Sequence, residues 1–144
     1  MPDAIDLVIV TPEKQLLREK TVEVQMPGEN GYLGILPGHA PLMTELGIGE
    51  LSYHDTRNKE SAHIAILRGF AEVLSDRVTI LAETAERAEE IDLQRAKDAL
   101  ARAEKRLAAN DPNIDWDRAS IALQRALIRI QVAAKRRSAL VSGS

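Results

Sequence analysis

The chain has 144 residues, no cysteine, 44% hydrophobic residues and 28% charged ones. A single domain of this size buries roughly 68–70% of its unfolded surface, so no staple is needed, and without cysteine there are no disulfides, thiol nucleophiles or thiolate metal sites. The formal net charge of −3 conceals an asymmetry: residues 1–90 carry 8 Lys/Arg against 16 Asp/Glu, and residues 91–144 carry 11 against 6.

A change of sign at one point argues for two parts with different partners. The first part reads as strands. Residues 5–10 are short and β-branched, and Pro12 ends the run because it offers no N–H to a ladder. Residues 21–26 alternate with period 2, which places Val22, Val24 and Met26 on one face. Residues 27–31 and 37–41 carry Pro–Gly turn signals. Residues 49–54, 61–68, 70–74 and 77–81 are further strand runs, with 55–59 and 75–77 as hairpin connections. Short strands separated by turns predict an antiparallel β-sandwich or flattened barrel over residues 1–88.

The second part, residues 89–144, reads as an antiparallel two-helix hairpin, which makes the fold class α+β. Asp92 is placed to cap a helix on which Leu93, Ala96, Leu100, Ala103 and Leu107 step by 3 and 4. Residues 110–113 stop it. Asp115 then caps a second helix, with Trp116, Ala119, Leu123, Ala126, Ile130 and Ala133 as the matching seam. A seam of Ala and Leu allows close approach but buries little area, so the hairpin is expected to be marginal alone and able to move as a unit. Ile121, Ile128 and Val132 point nearly opposite to that seam. Between them runs a stripe of Arg118, Arg125, Arg129 and Arg136, which reads as a surface for an acidic partner.

Chemistry-bearing motifs are sparse. Gly28, Gly31 and Gly34 are spaced for turns, without the dinucleotide fingerprint or a P-loop lysine. His39, His54 and His63 lack metal-ligand spacing, so no metal is expected. No nucleophile–base pair stands out, so no catalytic residue is assigned and a small hydrolase is disfavoured. An adaptor that binds nucleic acid or protein through the basic helix is the alternative reading, its nucleic-acid form disfavoured by four aromatics in the whole chain and an acidic first part. No apolar run approaches the roughly 20 residues of a membrane span, and the N-terminal residues lack the pattern of a signal peptide. The expectation is a cytosolic chain, or one seated on a membrane-bound partner.

The run of residues 27–42, PGENGYLGILPGHAPL, resembles the signature loop of the epsilon subunit of rotary, F-type ATP synthases. Residues 69–73 and 78–83 resemble its last sandwich strands, and residues 88–96 its entry into the helical hairpin. The likeness runs through essentially the whole chain in order. One departure is Arg68, where many relatives have a second glycine before Gly69; a local effect is expected.

The resemblance implies a non-catalytic central-stalk subunit. Its sandwich would bind the gamma subunit and sit on the membrane c-ring, with Tyr32 and His39 as contacts at the c-ring end. Its hairpin would extend to block rotation and inhibit ATP hydrolysis, laying Arg118, Ile121, Ile128, Val132 and Arg136 against the beta and alpha subunits. It further implies ATP as a regulatory ligand of the folded hairpin, with no required cofactor. The residues matching that site are Glu86, Ile91, Asp92, Arg95, Ala96, Arg102, Arg125 and Arg129. The implied location is peripheral, on the cytoplasmic face of the bacterial inner membrane, with a chloroplast membrane as the lesser alternative.

Overall fold

A computed structural model describes residues 2–57 and 59–136. Seven strands come first: β1 (Ile5–Val10), β2 (Gln15–Thr21), β3 (Val24–Gly28), β4 (Gly31–Ile35), β5 (Leu42–Asp55), β6 (Glu60–Val73) and β7 (Arg77–Arg87). A single 3-10 turn, Ala88–Glu90, leads to α1 (Leu93–Ala108) and α2 (Trp116–Ala133). The seven strands form one sheet in the order β2-β1-β7-β6-β5-β3-β4. It folds over on itself, so that Thr21 Oγ1 on β2 donates to the carbonyl of His54 on β5 at 2.7 Å. Period-2 alternation sends Ile5, Leu7 and Ile9 of β1, Val24 and Met26 of β3, Leu51 of β5, and Ile64 and Ile66 of β6 inward. That core is drawn entirely from the strands.

Several sequence expectations are corrected. The sandwich is not wholly antiparallel: β1 runs parallel to β7, with Leu7 opposite Val78 and Ile9 opposite Ile80. Residues 21–26 do not make one strand. Thr21 closes β2 and Val24 opens β3, so Val22 falls between them and is exposed, while Val24 and Met26 are buried. The turn expected at residues 27–31 does form, as the tight bend of a β3–β4 hairpin with Gly28 opposite Gly31. The runs 61–68 and 70–74 are halves of β6, which passes through Arg68 with a left-handed φ of 67°. Gly69 behind it has no room for a side chain, since a Cβ would lie 2.2 Å from the Leu81 carbonyl oxygen.

The hairpin forms as its pattern predicts. Asp92 and Asp115 each accept a hydrogen bond from the backbone N–H three residues on, Arg95 and Arg118, at 3.0 and 3.1 Å. Ala96, Ala103, Ala119, Ala126 and Ala133 are buried. Trp116 departs from the seam and is 57% exposed. It begins α2 at the hairpin tip, where a pair of helices has no third layer to cover a large ring.

Candidate functional site

The register of the three longest strands lays one row across the outside of the sheet. Glu50 on β5 stands opposite Ala65 on β6, and Ala65 stands opposite Glu86 on β7. Ala65 is buried from outside by a second, smaller apolar cluster with Ala88, Ile91, Val132 and Ala133. The end of α2 therefore rests on this row. Its basic residues straddle the alanine. Lys135 Nζ donates to Glu50 Oε2 at 2.9 Å, and Arg129 Nε donates to Glu86 Oε1 at 2.6 Å. Arg136 Nη2 reaches the Ile91 carbonyl at 3.4 Å.

Beside this seat lies a cleft of about 470 Å³ between β7, the 3-10 turn, α1 and α2. Glu86, Ile91, Asp92, Arg95, Ala96, Arg102 and Arg129 line it, joined by Glu90 and Ala99. Seven of the eight residues expected for a nucleotide are thus gathered from segments up to 43 positions apart. Arg125, the eighth, is not in the lining, but its Nε is buried with no hydrogen-bond partner. Ile91 is buried against the sheet, and Asp92 spends one oxygen on its helix cap. Arg95 and Arg102 are exposed, and their guanidinium groups form none of the ion pairs found among the described residues. Free guanidinium forks above a cleft floored by Ala96 and Ala99 suit a polyanion such as a phosphate chain.

The residues proposed for partner contact are not gathered in one place. Tyr32 is 60% exposed, and its hydroxyl accepts the N–H of Glu50 at 3.0 Å, supporting β5 where its pairing with β3 is interrupted. His39 Nδ1 lies 2.6 Å from the Ala40 carbonyl in the turn after β4. Arg118 is exposed. Ile121 and Ile128 are half-buried and Val132 is fully buried. The strip opposite the seam is therefore not free in this arrangement: its end is the part of α2 that lies on the sheet.

Sequence reading missed two features. Glu50, His63 and Lys135 form one polar cluster, with His63 Nδ1 3.2 Å from Glu50 Oε2. Met43, Phe70 and Leu81 form the other: each is more than half exposed, and Phe70 stands opposite Leu81 on the outer face. The second left a trace in the sequence, because Phe70 and Leu81 fall on the outward phase of their strands.

Two family models match this chain. One, the beta-sandwich domain of the ATP synthase Delta/Epsilon chain, covers residues 4–88; the other, the long alpha-helix domain of the same chain, covers residues 89–134. The chain belongs to the ATP synthase delta/epsilon chain family. Proteins named ATP synthase epsilon chain are similar through most of its length. That of Solibacter usitatus is 49% identical over 136 residues, which is 94% of this chain and all of the relative. That of Koribacter versatilis is 56% identical over 112 residues, 78% of each chain. The same fold recurs in a chain of the Euglena gracilis mitochondrial ATP synthase, at a TM-score of 0.78 and 24% identity, covering 93% of this chain and 83% of that one.

Proposed function

We propose that the chain is a non-catalytic regulatory subunit of the central stalk, divided into a sandwich of residues 1–88 and a movable hairpin of residues 89–144. The sandwich binds the gamma subunit and the c-ring, so that the chain is held peripherally at the cytoplasmic face of a bacterial inner membrane. The outer face carrying Met43, Phe70 and Leu81 is the apolar surface suited to gamma. The turn bearing His39 and the hairpin bearing Tyr32 are the candidates for the c-ring. The hairpin is a two-state element: seated on the sheet it leaves rotation free, and released it presents Arg118, Arg125, Arg129 and Arg136 to acidic surfaces of the beta and alpha subunits.

One observation carries this reading. The sandwich core closes without any residue of the hairpin, and the hairpin rests on it through a few small apolar side chains and the polar bonds of Lys135, Arg129 and Arg136. Lifting the hairpin therefore leaves the main core intact. ATP in the junction cleft would touch both sheet and hairpin and so favour the seated state. At ten times its dissociation constant it would add about 1.4 kcal/mol to that state. Arg95, Arg102, Arg125 and Arg129 would hold the phosphates, with Glu86 and Asp92 as acceptors for adenine or ribose. The site would make ATP a regulatory ligand rather than a required cofactor.

Removing residues 91–144 tests the reading. The shortened chain is expected to assemble into the complex and raise its latent ATPase activity. Activity equal to that of the intact complex would overturn the inhibitory role. Calorimetric titration of the intact chain with ATP tests the ligand: heat is expected from the parent and lost in Arg125→Ala, and no heat from the parent would retire the nucleotide site.

A further inference from the structure

Glu50 grips the end of α2 from an irregular stretch of β5. The ladder between β3 and β5 breaks there: the three steps from Gln25 to Gly28 on β3 face the six from Ser52 to Leu46 on β5. The surplus residues of β5 bulge, and a bulge re-aims the side chains it carries. Gly47 and Gly49 lie just ahead of Glu50, so the backbone leading into it has little stiffness of its own. Yet Glu50 has to be aimed closely. Lys135 Nζ at 2.9 Å and His63 Nδ1 at 3.2 Å both meet Oε2, while Oε1 is buried without a hydrogen-bond partner. A shift of the carboxylate therefore weakens both contacts at once.

Tyr32 meets this stretch from the edge strand β4. It stands opposite Pro27 of β3, a residue with no N–H to give. Its hydroxyl reaches past that proline and accepts the N–H of Glu50 at 3.0 Å. Gly49 makes room for the reach, since a Cβ there would lie 2.5 Å from Pro27 Cβ and 2.9 Å from the Tyr32 hydroxyl oxygen. Resting on the reading of the hairpin as a movable element, we infer that Tyr32 is a positioning residue for the hairpin seat: its hydroxyl stands in for the missing ladder bond at Glu50 and so aims that carboxylate at Lys135.

A contact within the sheet biases the hairpin only if it counts differently in the two states. Here it does. With α2 seated, the aim of Glu50 decides how well the bond to Lys135 forms. With α2 lifted, Lys135 is gone, and the same aim contributes nothing to holding the hairpin. The hydroxyl therefore favours the seated state. The brace also joins two surfaces with separate roles. One is the exposed ring of Tyr32, on the edge strand proposed for the c-ring, and the other is the end of α2.

The test uses the full chain, into which cysteine labels are introduced by N113C at the hairpin tip and E60C on the sheet. The released-to-seated ratio is read from the label distance. Tyr32→Phe keeps the ring and removes the hydroxyl, and should raise that ratio about fivefold, the worth of one net hydrogen bond. Lys135→Met should raise it at least as much. In the Lys135→Met background, where Glu50 has no hairpin cation to meet, Tyr32→Phe should add little, whereas a general loss of sheet stability would add in full. Ile9→Val, which trims the buried sandwich core on β1, should leave the ratio at the parent value. An unchanged ratio in Tyr32→Phe, a full further rise in the Lys135→Met background, or an equal rise in Ile9→Val overturns the brace while leaving the movable hairpin standing. If the labels keep the seated distance even in an Arg129→Ala/Lys135→Met double variant, the hairpin is not a two-state element and both readings fall.

Discussion

At Arg68 a side chain occupies a backbone conformation that favours glycine. Its φ of 67° lies in the left-handed region, which costs a residue with a Cβ about 1–2 kcal/mol. Arg68 is exposed, and no ion pair among the described residues offsets that cost. Arg68→Gly should raise stability by about 0.5–1 kcal/mol, the strain relieved less the greater freedom of glycine when unfolded. Urea unfolding checks it, and a destabilised variant would show that the arginine contributes more than its contacts reveal. This position was legible as a departure from the family pattern. Glu45 was not legible in this way. Its carboxyl is held above the ordinary carboxylate value, chiefly because its protonated form donates a hydrogen bond to Glu29 and then because of that neighbour's charge. A folded-state value raised above the unfolded one contributes stability in acid that is lost as pH rises through the raised value. Glu45→Gln should therefore stabilise the chain at pH 7 relative to the parent, and the advantage should vanish in acid. An equal urea midpoint at pH 7 would show that solvent screens the pair fully.

At the level of elements, the helices were legible and two features of the sheet were not. A 3.6-residue stripe with a capping aspartate specifies a helix from local sequence alone, and both caps form where Asp92 and Asp115 place them. Strand β2 carries Leu16 and Leu17 side by side and then Arg18, Glu19 and Lys20, a pattern that alternation does not reveal. Its physical sense comes from its position: β2 is an edge strand paired only with β1, and charge on an edge discourages pairing with other chains. The parallel pairing of β1 with β7 joins segments about 70 residues apart and has no local signature. The hairpin seam is a different case, because its composition predicts its mechanics. Alanine at 96, 103, 119 and 126 is buried along the seam, where small side chains let the helices approach closely. Ala126→Leu should overpack this seam at a cost of about 1–3 kcal/mol. The loss should appear in the helical circular dichroism signal at lower temperature, while the single tryptophan, already exposed at the tip, reports little change. A simultaneous loss of strand and helix signal would mean that the two bodies unfold as one.

The whole molecule is an acidic sheet holding a basic hairpin, and its two apolar clusters differ greatly in size. The larger contains no residue beyond Ala85, while the smaller joins Ala65 to Ala88, Ile91, Val132 and Ala133. Alanines bury little area each, so the second cluster stabilises the seat far less than the first stabilises the sandwich. The ion pairs of Glu86 with Arg129 and Glu50 with Lys135 supply the rest, and their cationic ends are 31% and 43% exposed, open enough for salt to screen. Opening of the hairpin should therefore lie well below global unfolding in free energy. Amide hydrogen exchange of the full chain is expected to show α1 and α2 exchanging much faster than β5, β6 and β7. Raising ionic strength from 0.05 M to 0.5 M should quicken the helical amides further and leave the central strands unchanged, because the core that protects those strands is apolar. Equal protection in α2 and β6 at both salt levels would mean that hairpin and sheet open only together, and a subunit built in that way would have no separable arm with which to regulate rotation.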